Sequence, residues 1–153
     1  MSTLNQSIRM EALLDALVLY TRLYHKPFSA ETLVAGLPIE KGQSAPDLFS
    51  IRAAKGLFSR AANRAGLSTR LIKRPISQIS PLQLPMIVPL ADQQAGILAE
   101  FSKDKQQVKL IFPAEQAVEQ WYDIKEFEAQ YLGYAFMVKR LFDYQEGAKA
   151  TLN

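Results

Sequence analysis

The 153-residue chain has no cysteine and a single histidine. The first absence removes disulfides, thiolate zinc sites and cysteine nucleophiles together, and the second leaves almost nothing for an imidazole metal site. A metalloenzyme is therefore disfavoured, a cysteine hydrolase is excluded, and no cofactor is expected. No apolar run approaches the roughly 18 to 20 residues of a membrane-spanning helix, and Met1–Leu17 carries acid where a signal peptide has a clean apolar segment. The chain is expected to be soluble and not exported by that route. No G-x-G pair and no G-K-[ST] occurs among its 7 glycines, so neither nucleotide-binding loop is present. What is there is 48% hydrophobic and 22% charged, enough apolar mass for the core of one domain. Acid is also missing locally. Leu48–Ala91 holds seven Lys or Arg and no Asp or Glu within a chain of formal charge +3, so the remainder is net acidic.

Ile8, Leu13, Leu14, Leu17, Val18 and Leu23 recur at helical spacing and predict a helix over about Ile8–Tyr24, closed by Pro27. Ser29 can cap a short second helix that Gly36 and Pro38 end, before a loop over Ile39–Gln43. Ser44 with Asp47, and Pro46 between them, resembles a capping box for a third helix running to Ala65, with Gly66 as left-handed cap. Beyond Gly66 the period falls towards 2. Strands are predicted at Ser68–Lys73, at Pro85–Val88, at Gly96–Phe101 and Gln107–Phe112 as a hairpin around Lys103-Asp104-Lys105, and at Tyr134–Val138. Pro81, Pro85 and Pro89 are read as delimiting the Pro85 strand. Asp123 with Glu126 reads as a capping box for a late helix stopping at Gly133. Helices followed by an antiparallel sheet make an α+β domain over residues 1–140, with 141–153 as a tail or linker.

Residue chemistry alone proposes no active site. A serine nucleophile would need His25, which sits beside Lys26 at a helix end, and no serine lies in a nucleophile-elbow sequence. On the third helix Ile51, Ala54, Phe58, Ala61, Ala62 and Ala65 fall within an arc of about 100°, the core face, opposite Arg52, Lys55, Arg60 and Arg64. With Arg70, Lys73 and Arg74 these cations form a basic surface that fits a solvated face, an acidic protein or phosphates. No RNA-binding aromatic signature accompanies it, and nucleic acid is not the expected partner. Trp121, Tyr122, Tyr131 and Tyr134 gather near the last helix, as core or as recognition surface, with core packing the preferred reading.

Taken in order, these pieces resemble the papain-like bacteriocin-processing peptidase domain at the N-terminus of ABC exporters. In that family a glutamine precedes an Asp-Cys pair by four residues; here Gln6 precedes Glu11-Ala12, and the helix ends in Leu23-Tyr24-His25-Lys26-Pro27-Phe28-Ser29. Ala53 to Leu57 through Ala65-Gly66-Leu67 and the basic Arg70–Lys73 resemble the family's middle. Leu84-Pro85-Met86-Ile87 resembles its Leu-Pro-x-Ile strand, and Glu126-Phe127 with Gly133 its final segment.

The resemblance implies a papain-like cysteine peptidase fold in which the catalytic positions have changed. Ala12 stands at the nucleophile's place, Gln94-Ala95-Gly96-Ile97-Leu98 replaces a His-Phe-x-x-Leu run, and Phe112-Pro113 replaces Asp-Pro. Without thiolate and imidazole the covalent step cannot occur, and Gln6 has no oxyanion to stabilise. The resemblance thus implies a non-catalytic domain of a type I secretion exporter for a large RTX-type adhesin or toxin, an ATPase in its remaining chain. Its implied partners are the unfolded secretion substrate and the rest of the exporter, met at the cytoplasmic face of the inner membrane. The residues expected to touch that substrate are Arg60, Arg64, Arg70, Trp121 and Tyr122. A residual serine hydrolase using His25 and a small nucleic-acid-binding domain are the alternatives.

Overall fold

Helix α1 (Ser2–Tyr24) starts six residues earlier than its apolar periodicity, because Ser2 to Ser7 contains no glycine or proline to stop it. The computed structural model describes residues 2–37, 51–114 and 116–141, and side chains within 12–37, 56–114 and 116–141. Helix α2 (Ala30–Val34) is capped as expected, Ser29 Oγ accepting from the Thr32 N–H at 3.2 Å. The proposed loop Ile39–Gln43, the Ser44–Asp47 cap and the tail beyond residue 141 lie outside the described residues. Helix α3 (Ile51–Arg64) gives way to β1 (Leu67–Lys73) through Gly66, whose φ of +80° is the left-handed value its position demands.

Five further strands, β2 (Met86–Leu90), β3 (Gln94–Phe101), β4 (Gln107–Phe112), β5 (Val118–Asp123) and β6 (Tyr134–Arg140), complete one antiparallel sheet. Its order is β1-β6-β2-β3-β4-β5, so the last strand inserts between the first two and the basic β1 forms one outer edge. Strand β6 pairs Leu71 with Phe136 on one side and Ile87 with Phe136 on the other. Helix α4 (Ile124–Gln130) connects β5 to β6. The α+β class is as expected.

Alternating side chains feed two cores, one on each face of the sheet. Phe58, Ala61, Ala62 and Ala65 of α3 join Leu13, Leu17 and Tyr20 of α1 and Ile87, Ile97 and Phe136 of the sheet. Phe127 of α4 joins Ile72, Met86, Val88, Leu98 and Leu110 beneath. Phe58, Ala61 and Ala62, the part of the predicted apolar arc whose side chains on α3 are described, are therefore its buried face.

Three expectations change. Strand β2 runs through Pro89, opposite Ala95, so that proline lies inside the strand that the three prolines were expected to delimit. Asp123 caps α4 by backbone position only; its Oδ1 accepts from Gln107 Nε2 at 3.2 Å across the hairpin. Strand β5 has no counterpart in the sequence reading, because both of its faces are largely exposed and Val-Glu-Gln-Trp-Tyr-Asp shows no apolar alternation. Trp121 consequently stands 46% exposed rather than in the core, while Tyr122, Tyr131 and Tyr134 are half-buried.

Tyr131 holds α4 against the sheet: its hydroxyl donates to Arg74 O at 2.6 Å and its ring stacks on Phe127 at 5.1 Å. Burial pushes its phenol up to about 12. Below the unfolded value near 10 the phenol is protonated in both states and its contribution is complete. Between about 10 and 12 the unfolded chain ionises while the folded one keeps its proton, so stability falls as pH rises. A denaturant series across that window is expected to lose on the order of 1 kcal/mol, and Tyr131→Phe to flatten the decline.

Candidate functional site

Of the four positions that the sequence resemblance implies for a peptidase centre, Gln6 lies on α1 with its side chain outside the described residues. Ala12 is half-buried on the same helix and packs on the core that contains Ala95 and Ile97 of β3. Gln94 is exposed at the start of β3, after a turn in which Asp92 and Gln93 both take φ near 59°. Phe112 ends β4, edge-on to Tyr122 at 6.3 Å. The register Ile97↔Ile111 puts Gly96 opposite Phe112. A Cβ at Gly96 would meet Ile111 O at 3.1 Å and the Phe112 ring at 3.5 Å, so this close approach needs glycine. Gln94 lies two residues before Gly96 on the same face, diagonal to Phe112 and on the order of 7 Å away across the strands. Gln94 and Phe112 thus lie at the same end of the neighbouring strands β3 and β4. An amide and a phenyl ring supply neither a base nor a carboxylate to orient one.

His25 stands at the other end of α1, thirteen residues beyond Ala12, about 20 Å along a helix. Its Nε2 lies 2.6 Å from Ala65 O and its ring stacks on Phe28. The carbonyl can only accept, so Nε2 carries the proton and donates it. His25 thereby ties the end of α1 to the turn between α3 and β1, and is placed as a structural clip rather than as a serine's base. His25→Ala is expected to cost about 1–2 kcal/mol of stability by leaving the Ala65 carbonyl without its donor. Chemical denaturation measures this.

A groove of about 330 Å³ is lined by Asp15, Val18, Leu19 and Arg22 of α1 and by Pro113 and Ala114 just after Phe112. On β4 and β5, Lys109 Nζ reaches Glu100 at 2.5 Å and Glu119 at 3.9 Å. It also sits 5.9 Å from the centroid of the Trp121 ring. The hydrogen bond that the Lys109 ammonium donates to Glu100 holds it above its ordinary range, and burial does the same for the Tyr24 phenol. This clamp fixes an exposed indole on the sheet's outer strand beside β4. Among the described residues no group of three His, Cys, Asp or Glu gathers to hold a metal.

The five expected contact residues are not brought to one place. Arg60 and Arg64 are exposed on α3 and Arg70 on β1, whereas Trp121 and Tyr122 lie on β5, the opposite edge of the sheet. Five inter-strand steps, about 24 Å, separate these edges. Trp121 and Tyr122 also alternate to opposite faces, Tyr122 packing on the α4 side. The groove was not found from sequence, since it depends on the Pro113-Ala114 turn meeting α1, and no local periodicity records that meeting.

Neither a protein-family model nor a curated sequence matches the chain. Solved structures do. The N-terminal peptidase C39-like domain of the toxin secretion ATP-binding protein from Vibrio parahaemolyticus is 29% identical, with a TM-score of 0.67, over 84% of this chain and 96% of that one. The peptidase domain of Streptococcus ComA, a bifunctional ABC transporter, is 17% identical with a TM-score of 0.62, covering 86% and 92%. A double-glycine-motif protease from an AMS/PCAT transporter, solved with a leader peptide, is 16% identical with a TM-score of 0.61, covering 86% and 85%. Among the described residues no helix is long and apolar enough to cross a membrane. The chain therefore folds as a peptidase C39-like domain of the kind that ABC transporters carry.

Proposed function

We propose that this domain docks an unfolded secretion substrate, of the RTX adhesin or toxin type, at the cytoplasmic face of an ABC exporter without cleaving it. The observation that carries the proposal is that Ala12, Gln94 and Phe112 stand where the resemblance implies nucleophile, base and orienting acid, with Gln94 at the start of β3 and Phe112 at the end of the neighbouring β4. A scaffold kept without its chemistry retains a binding surface. The groove along α1 supports this role because it begins one turn beyond Ala12, and Trp121 alternates away from Tyr122 and the α4 side of the sheet. In the double-glycine-motif protease of similar fold the bound molecule is a leader peptide. Here the groove offers apolar Val18, Leu19 and Pro113 between Asp15 and Arg22, a lining that an extended chain can satisfy with side chains of either kind. Trp121 is the aromatic contact in this reading, Tyr122 facing α4 instead, whereas Arg60, Arg64 and Arg70 on the far edge act only at long range.

Trp121 is the only tryptophan, so its fluorescence reports docking directly. A tryptophan-free, calcium-free RTX repeat polypeptide should shift the emission saturably, and a double-glycine leader peptide in the same cell should stay intact. Cleavage of that peptide, or unchanged emission throughout, would refute the proposal.

A further inference from the structure

Charge is segregated in this fold. Helix α3, β1 and β6 contain no Asp or Glu. Exposed Glu100, Glu119, Asp123, Glu126 and Glu128 lie instead on β3, β5 and α4. Arg60 and Arg64 are exposed on α3, over one face of the sheet. Arg70 alternates with the half-buried Leu71 to the other face, and Lys139 lies on that face two residues beyond Met137. Positive charge therefore wraps round the β1 edge. Among the described residues no carboxylate forms an ion pair with Arg60, Arg70 or Lys139.

The most exposed large apolar side chain of the described residues is Leu82, at 96%, next in sequence to Gln83, which bonds to the β6 strand that carries Lys139. It is not on a floppy loop. The turn Pro81–Gln83 is closed by a reciprocal cap in which Ser80 Oγ accepts from the Leu82 N–H at 3.1 Å and the Ser80 N–H donates to Gln83 Oε1 at 2.8 Å. Gln83 Nε2 then donates to Met137 Sδ at 3.8 Å, and Met137 is the cross-strand partner of Arg70. A leucine held rigidly in water has no function within the domain's own core.

We propose that this edge rests on an anionic lipid surface, with Leu82 entering the interface and Arg70 and Lys139 lying among phosphate headgroups. A bilayer accepts a protruding apolar side chain of any shape together with diffuse negative charge, which is the combination displayed here. A nucleic acid backbone offers Leu82 no apolar partner, and an acidic protein would need a pocket matched to it. The inference goes beyond substrate docking and does not depend on it: the docking groove lies on the other side of the sheet order, and either contact can fail alone.

Co-sedimentation of the 153-residue chain with vesicles tests it. The chain should bind phosphatidylcholine vesicles containing phosphatidylglycerol and not phosphatidylcholine alone, and raised salt should release it. Arg70→Glu with Lys139→Glu should lower the bound fraction tenfold or more, and Leu82→Ser several-fold, since both effects add at the interface. Lys103→Glu with Lys125→Glu makes the same change of net charge on the acidic side and should leave binding intact. No binding to the anionic vesicles, equal binding to neutral ones, or equal loss in the two charge-reversed pairs would overturn the proposal. Capture of poly-L-glutamate without vesicle binding would overturn it in favour of an acidic polypeptide.

Discussion

Phe58→Ala is expected to lower the unfolding free energy by about 3–5 kcal/mol and the melting temperature by about 10–15 °C. Phe58 is fully buried, and its ring centroid lies 4.3 Å from that of Phe136. Phe136 in turn sits on β6, the strand paired to both β1 and β2. The two rings therefore join α3 to the strand that closes the sheet. Removing one loses its transfer free energy and leaves a cavity walled by Ala61, Ala62 and Ala65, which are too short to collapse into it. Since domains of this size are stable by about 5–15 kcal/mol, the variant would lie near the limit of folding. Phe58→Leu, which keeps most of the volume, should cost less than half as much. Calorimetry or urea denaturation with both variants checks this, and a loss below about 1 kcal/mol for alanine would mean that α3 does not bury Phe58 against β6.

Trp121→Ala is expected to weaken docking of the unfolded chain about thirtyfold, some 2 kcal/mol, while changing stability by less than about 0.5 kcal/mol. The asymmetry follows from exposure. An indole that is 46% exposed contributes little to the domain's own burial, yet it is held ready by Lys109, itself fixed between Glu100 and Glu119. Little side-chain freedom remains to be lost on binding. Because the variant loses the fluorescence reporter, isothermal calorimetry measures the affinity. Lys109→Met, which removes the clamp and keeps the indole, should weaken docking less than Trp121→Ala does. Equal affinity for Trp121→Ala and the parent chain would move the contact away from β5.

Sequence reasoning reached furthest where one face of an element is buried. The α3 stripe from Phe58 to Ala65, the hairpin around Lys103-Asp104-Lys105 and the left-handed Gly66 all carry local signals of period, turn or cap. Strand β5 escaped because pairing to β4 alone holds it, and edge pairing leaves no hydrophobic alternation behind. Misplacing Trp121 in the core was a consequence of missing that strand. The basic surface was legible as composition but not as shape: Arg60, Arg64 and Arg70 look continuous in the chain, yet the pleat sends Arg70 to the other face of the sheet. The proposed peptidase positions rest on the ordered resemblance, and the neighbouring strands β3 and β4 hold two of them, Gln94 and Phe112, at one end of the sheet. No local rule foretold the groove, since it joins residues 15–22 to 113–114.

Nuclear magnetic resonance titration of the isotopically labelled chain with a calcium-free, unfolded RTX repeat polypeptide addresses the central claim most directly. Docking without cleavage predicts amide shifts confined to Val18, Leu19, Arg22, Ala114 and Trp121, absent when calcium folds the same polypeptide, with the polypeptide intact at the end. Shifts that are equal for the folded form, that spare the α1 groove, or that accompany a cleaved polypeptide would contradict it.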